Sequence, residues 1–184
     1  MRAAAEELDE NGYDGASITR ICRRADISMG ALTYHFPTKD ALVEAVQDRG
    51  RSATQSMVDR IESEPSQPLR AAIDLTIAIT DLLSKDAAVR ATARLSQERP
   101  HTAPTWTSLW AGALRRLLDK TSHDELRPGT DPEAVAVLAT HLVVGAESHI
   151  RHARATPDAA QAGAAQQLAE IWQLVLSGFA AERG

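Results

Sequence analysis

Residues 28–42 read SMGALTYHFPTKDAL and bring Ser28, Thr33, Tyr34, His35 and Lys39 close together. Hydroxyls, an imidazole and an ammonium at this density are hydrogen-bonding groups of modest bulk, suited to phosphate oxygens and the edges of bases. Gly30 and Ala31 keep the same stretch thin, so its backbone can come close to a partner surface. A second concentration of chemistry is His141, His149 and His152 with Glu147. His149 and His152 lie one helical turn apart and could offer nitrogen ligands to zinc or nickel. Arg151 and Arg154 stand beside them near a helix end, where cations meet the helix dipole favourably, and that is the simpler account. No metal and no cofactor is expected. No nucleophile stands at a recognisable spacing from a base, no glycine-rich phosphate loop occurs and no carboxylate pair stands out, so no enzyme is expected either.

The elements that must position this stretch are helices. Residues 1–11 have helical propensity and stop at Gly12. Ser17 can cap a second helix, ITRICRRA, with Ile18, Ile21, Cys22 and Ala25 on one face and Arg20, Arg23 and Arg24 elsewhere. Asp26 and Ile27 turn the chain, Ser28 caps a short third helix, and Pro37 breaks it. Thr38 caps a long fourth helix that runs to about Glu62, with Asp40 in its first turn. Residues 63–68, SEPSQP, hold two prolines and no apolar side chain, and are the best boundary in the chain. Beyond them, helices are expected over 69–84, 86–98, 105–121, 132–153 and 158–181, with breaks at RPHTAP and RPGTDP. The apolar residues of these segments recur at spacings of three, four and seven. The expected fold is all-α, with about nine helices and a helix-turn-helix at the amino terminus.

Composition agrees. The 184 residues are 43% hydrophobic but only 4% aromatic, which favours close-packed helices over strands. The single cysteine, Cys22, excludes an internal disulfide and reads as a small buried hydrophobe. No signal peptide opens the chain, and the longest apolar runs, around 73–83 and 135–146, are interrupted by polar residues, so a cytoplasmic protein with no membrane partner is expected. Arginine outnumbers lysine 17 to 3, a bias that reflects a GC-rich coding genome as much as any site. The net charge of −5 argues weakly against nucleic acid, but its distribution matters more. Between Ser17 and Lys39 the cations Arg20, Arg23, Arg24 and Lys39 face only Asp26, a locally basic window in an acidic chain.

The stretch GYDGASITRICRRADISMGALTYHFPTKDALVEAV resembles the amino-terminal domain of the TetR family of bacterial transcriptional regulators over about residues 3–47. The likeness lies in its Gly-Tyr turn, the following helix start, the short turn, the Gly-to-His-Phe stretch and the lysine after it. The resemblance implies a homodimer with a three-helix reader at the amino terminus. It places the DNA-binding domain at 1–47, a connecting helix to about 62, and a ligand-binding and dimerisation domain at 63–184. It makes 28–35 the recognition helix, with Tyr34 and Lys39 on phosphates and Met29, Gly30, Thr33 and His35 nearest the bases; Thr19, Arg20 and Ser28 complete the DNA-facing set. Many relatives carry lysine where Met29 stands and tyrosine where Thr33 stands. They also have several more residues, often basic, before the position of Met1, so this chain either is truncated there or does without a basic arm. Tyr34 can alternatively be a core aromatic, as Phe36 is expected to be, and Arg23 and Arg24 an ordinary solvated face.

Residues 104–135 resemble the corresponding region of the γ-butyrolactone receptors of actinomycetes, in which a tryptophan faces the ligand. By spacing Trp110 is the better match and Trp106 the alternative; both can equally be core. Leu83, Leu114 and His141 join them in the expected ligand-binding set. Leu142, Gly145, Ala146, Trp172 and Phe179 are expected to dimerise the last two helices, or in part to face their own core. The function expected is that of a ligand-responsive repressor of a pseudo-palindromic operator, released by a small hydrophobic effector that is γ-butyrolactone-like or a drug or metabolite. The alternative is a helical small-molecule carrier that has lost operator binding.

Overall fold

In a computed structural model, residues 1–99, 105–122, 125–155 and 163–179 are described, and among them nine helices occur. They are α1 (Arg2–Gly15), α2 (Ile18–Ala25), α3 (Met29–His35), α4 (Lys39–Ser63), α5 (Pro68–Lys85), α6 (Ala87–Glu98), α7 (Trp106–Asp119), α8 (Pro132–Ala155) and α9 (Ala164–Phe179). Each lies where the sequence led one to expect it, with two differences. The first helix runs on to Gly15, but Gly12 interrupts it at φ 67° and ψ −171°, a conformation that residues with a Cβ avoid. The last helix begins after Gly163, and the part expected over 158–162 lies outside the described residues.

The caps explain why the amino-terminal helices are short and sharply bounded. Ser17 Oγ accepts the backbone N–H of Arg20, and Ser28 Oγ accepts that of Ala31 at 3.1 Å. Between them α2 ends on Asp26 in the left-handed region at φ 53°, which lets Ile27 N–H return to the Cys22 carbonyl at 3.1 Å. Thr38 Oγ1 likewise accepts Ala41 N–H and starts α4.

The described residues pack as two compact units. One draws on Met1–Thr54 and Asp86–Leu109, the other on Gln55–Lys85 and Trp110–Gly184. Packing therefore groups the chain differently from the division expected at residue 63: α6, far along the sequence, belongs with the amino-terminal helices. The reason is a set of contacts that no local pattern reveals. Arg90 Nε donates to Asp9 Oδ2 at 2.6 Å with both side chains buried, Arg94 donates to the Asp9 carbonyl, and Glu98 accepts Tyr13 N–H. On α4, Gly50 lies so close to α6 that an added Cβ would sit 2.2 Å from Thr92 Oγ1 and 2.5 Å from the Ala88 carbonyl oxygen. The core of this unit joins Leu8 of α1, Ile21 and Cys22 of α2, Leu32 of α3, Leu42 and Val46 of α4, and Ala91 and Leu95 of α6. Cys22 is buried as expected, whereas Ala25 of the same expected face is exposed.

In the second unit α5 packs against α8 and α9. Leu75, Ile79 and Leu83 of α5 and Trp110 and Leu114 of α7 are fully or almost fully buried. Trp172 of α9 donates its indole N–H to Thr76 Oγ1 of α5 at 2.8 Å, and that hydroxyl donates on to the Ile73 carbonyl. Among the described residues no helix is long and apolar enough to cross a membrane.

Candidate nucleic-acid interface

The first of the two helices that flank the Asp26–Ile27 turn starts on a buried carboxylate. Glu7, on the apolar side of α1, is almost wholly enclosed, accepts Ser17 N–H at 3.0 Å and pairs with the Arg20 guanidinium at 2.6 Å. Burial pushes its carboxyl up, but the hydrogen bonds from Arg20 and Ser17 outweigh that and hold it below the usual carboxylate range. The same guanidinium donates to the Gly15 carbonyl. Arg20 therefore ties α1 to the start of α2 through Nε and Nη2, while its side chain, expected to face DNA, stays 43% exposed. Arg24 is similarly held by Glu10 at 2.7 Å, and this hydrogen bond raises its pKa. The local basic excess read from the sequence is thus partly neutralised by acids of α1, which lie outside the window 17–39. Thr19 and Arg23 remain exposed on α2.

The outer face of α3 holds the other expected residues. Tyr34 is 83% exposed, which leaves no room for a core role, and stacks edge-on against exposed His35 with ring centres 5.2 Å apart. Phe36 packs against the core, as expected. Met29 and Gly30 are exposed; the Ser28 hydroxyl is engaged as the cap but keeps its own O–H. Thr33, itself exposed, donates its hydroxyl to the Met29 carbonyl at 3.0 Å and to that of Gly30 at 3.3 Å, so its donor is used within the helix.

Lys39 is half-buried. Its ammonium donates to the Ala16 carbonyl at 2.8 Å and lies 4.8 Å from the centre of the Tyr13 ring, which fixes its position while leaving two N–H donors for a phosphate. Tyr13 itself donates its phenol to Asp40 Oδ1 at 2.7 Å, and Arg99 lies 4.2 Å from the same ring centre and 3.4 Å from Asp40. The hydrogen bond to Asp40 raises the phenol's pKa and lowers that of the carboxyl. Sequence reasoning missed Glu7 and this Tyr13 cluster. An acid three residues after Ala4 and one before Leu8, in the middle of an apolar stripe, was the available signal for Glu7. The Arg99 contact bridges 59 positions and left no signal.

The second unit sorts the remaining residues. A groove of about 270 Å³ between α8 and α9 is lined by His141, Leu142, Gly145, Ala146, His149, Gln167, Leu168 and Ile171, among others. His141 thus stands with the residues expected to dimerise, not with the other members of the expected ligand set. Trp106 belongs to the first unit, where its indole donates to buried Thr54 Oγ1 at 3.0 Å. Trp110, Leu114 and Leu83 lie in the core of the second. Trp172, expected to dimerise, is 2% exposed and spent on α5; Phe179's side chain lies outside the described ones. Exposed apolar residues not expected at this face are Val137, Val144, Ile171 and Leu174. No group of three or more metal-ligating side chains occurs among the described residues, and Glu147 pairs with Arg151 while His152 Nδ1 lies 2.8 Å from the Ser148 carbonyl.

The fold and this head define an all-α helix-turn-helix protein. Residues 1–46 match the pattern of the bacterial regulatory proteins of the tetR family. Over 97% of its length it is 30% identical to the A-factor receptor protein of Streptomyces griseus, of which it spans 61%. It is 25% identical to the structure of the TetR family protein CprB from S. coelicolor A3(2), with a TM-score of 0.75 over 97% of this chain and 86% of that one; CprB is also known in complex with its operator sequence. A γ-butyrolactone receptor, ArpA-like, shares the fold at a TM-score of 0.74 and 23% identity, covering 97% of this chain and 85% of that one.

Proposed function

We propose that the chain is a ligand-responsive, DNA-binding transcriptional regulator, not an enzyme, which acts in the cytoplasm as a homodimeric repressor. The observation that carries this reading is the capped α2–turn–α3 head inside the matched residues 1–46, with Thr19, Met29, Gly30, Thr33, Tyr34 and His35 all exposed on it. Two such heads in a dimer would read a pseudo-palindrome of double-stranded DNA, half-sites about one helical turn apart. CprB, similar over most of its length, binds an operator, which supports the reading. The exposed apolar residues of α8 and α9 support the dimer, and an added Cβ at Gly145 would meet nothing within 4 Å, leaving that position open to a second copy.

The effector is a small hydrophobic molecule, γ-butyrolactone-like or a drug or metabolite, taken by the second unit around Trp110, Leu114 and Leu83. Likeness to the A-factor receptor supports that class. An effector that binds better to a form with α4 displaced lowers operator affinity, and operator DNA lowers effector affinity by the same factor. One observation favours the rival reading, a carrier that has lost its operator: Arg20 and Arg24 are occupied by acids of α1. Titration of the purified protein with the duplex upstream of its own gene and with random duplex separates the two. A regulator prefers its own promoter by orders of magnitude and loses affinity steeply with salt. Equal, weak binding to both would sink the regulator.

A further inference from the structure

Apart from Met1, the large apolar side chains exposed among the described residues gather in two places: α8 with α9, and the head, where Ile27 is 42%, Met29 45% and Tyr34 83% exposed. We propose that the apolar side chains at the start of α3 read thymine. Met29, with Ile27 two residues before it, contacts 5-methyl groups in the major groove, so the preferred half-site carries A·T pairs under the start of the recognition helix. The inference rests on the DNA-reading function proposed above and names the bases it selects.

Three observations lead there. A guanidinium or ammonium is what most often reads guanine, through its O6 and N7, and three of the four such groups between Ser17 and Lys39 make contacts within the protein. Arg20 is held by Glu7 and the Gly15 carbonyl, Arg24 by Glu10, and Lys39 is anchored to the Ala16 carbonyl. Next, the hydroxyl hydrogen of Thr33 is directed into its own helix, which takes that donor away from a base edge. Finally, Met29 occupies the first position of α3, and its flexible, polarisable thioether adapts to a methyl-bearing groove floor. The thymine methyl is the one feature of the major groove that such a surface recognises. Exposed Arg23 and the remaining donors of Lys39 supply positive charge to the flanking phosphates, so the surface is apolar toward the bases and basic toward the backbone.

The test uses the full chain and a pool of random duplexes, from which the bound sequences are recovered to give the preferred half-site. Each thymine of that half-site is then replaced singly by deoxyuridine, which deletes only the methyl group and leaves the protein untouched. At one or two thymines the replacement weakens binding by about fourfold, the effect of one buried methyl. In Met29→Ala the same replacement has no effect, and Met29→Lys moves the preference at that step to guanine. A half-site whose thymines all tolerate deoxyuridine overturns the proposal, as does a penalty that persists unchanged in Met29→Ala. Recovery of no sequence preference by the unsubstituted protein overturns the DNA-reading function itself, a failure distinct from the other two.

Discussion

Glu7 keeps its charge in an enclosed place because three donors converge on it, and its depressed pKa makes a stability statement. A carboxyl whose folded pKa lies below its unfolded one contributes stability that is fully present above the unfolded value and is lost as pH falls through the folded one. Urea midpoints measured from about pH 6 down to about pH 3 should therefore fall with acid, and Glu7→Gln should flatten that fall while lowering the midpoint at neutral pH. Lys39 belongs to a different kind of site. Its ammonium is held by Ala16 and Tyr13, and if the proposed DNA binding uses its two remaining donors on a phosphate, Lys39→Met should weaken binding to all duplexes alike and reduce the slope of log affinity against log salt by about one. A change in sequence preference without a change in slope would contradict that role.

At the scale of elements, two glycines and one ion pair hold α6 to the amino-terminal helices. Gly12 combines a positive φ with a neighbour, Glu98, whose carboxylate oxygen would lie 2.2 Å from an added Cβ. Gly12→Ala should cost about 1–3 kcal/mol in chemical denaturation and loosen the Glu98–Tyr13 contact. Gly50→Val should destabilise by a similar or larger amount, since it presses on the backbone of α6 and not only on a movable side chain. Asp9→Ala would strand the buried Arg90 charge, at about 3–5 kcal/mol, whereas replacing both partners with apolar residues should restore much of the loss. If the double replacement proved as damaging as the single one, the pair would be doing more than neutralising itself. Because these contacts bind α6 to the same unit as α3, the middle of the chain is as much a part of that unit as its first fifty residues.

For the whole molecule, the exposed apolar face of α8 and α9 predicts assembly. Leu174 is 76% exposed, so Leu174→Glu should leave the protomer's melting intact while shifting light-scattering mass from dimer toward monomer and reducing operator affinity. Unchanged mass would remove this face from the dimer interface. The salt dependence of operator binding is expected to be shallower than the count of arginines in the head suggests, since Arg20 and Arg24 are already neutralised within the protein.

The amino-acid sequence by itself determined the helices, their caps and the place of the helix-turn-helix. Those features rest on interactions between residues a few positions apart: Ser17 to Arg20, Ser28 to Ala31, Asp26 in its turn, prolines at the breaks. Whether Tyr34 of α3 stands outward is open in the sequence, and the structure decided it by burying Leu32 and leaving Met29 and Tyr34 exposed. Only the tertiary structure decided which charges are available. Arg20 and Arg24 look free in the sequence and are not, since the acids that hold them come from another helix. It likewise moved α6 to the head, Trp172 to the core and His141 to the α8–α9 groove. Each of these depends on pairing between segments far apart in the chain, and a hydrophobic or charged residue carries its type in the sequence but not the identity of its partner.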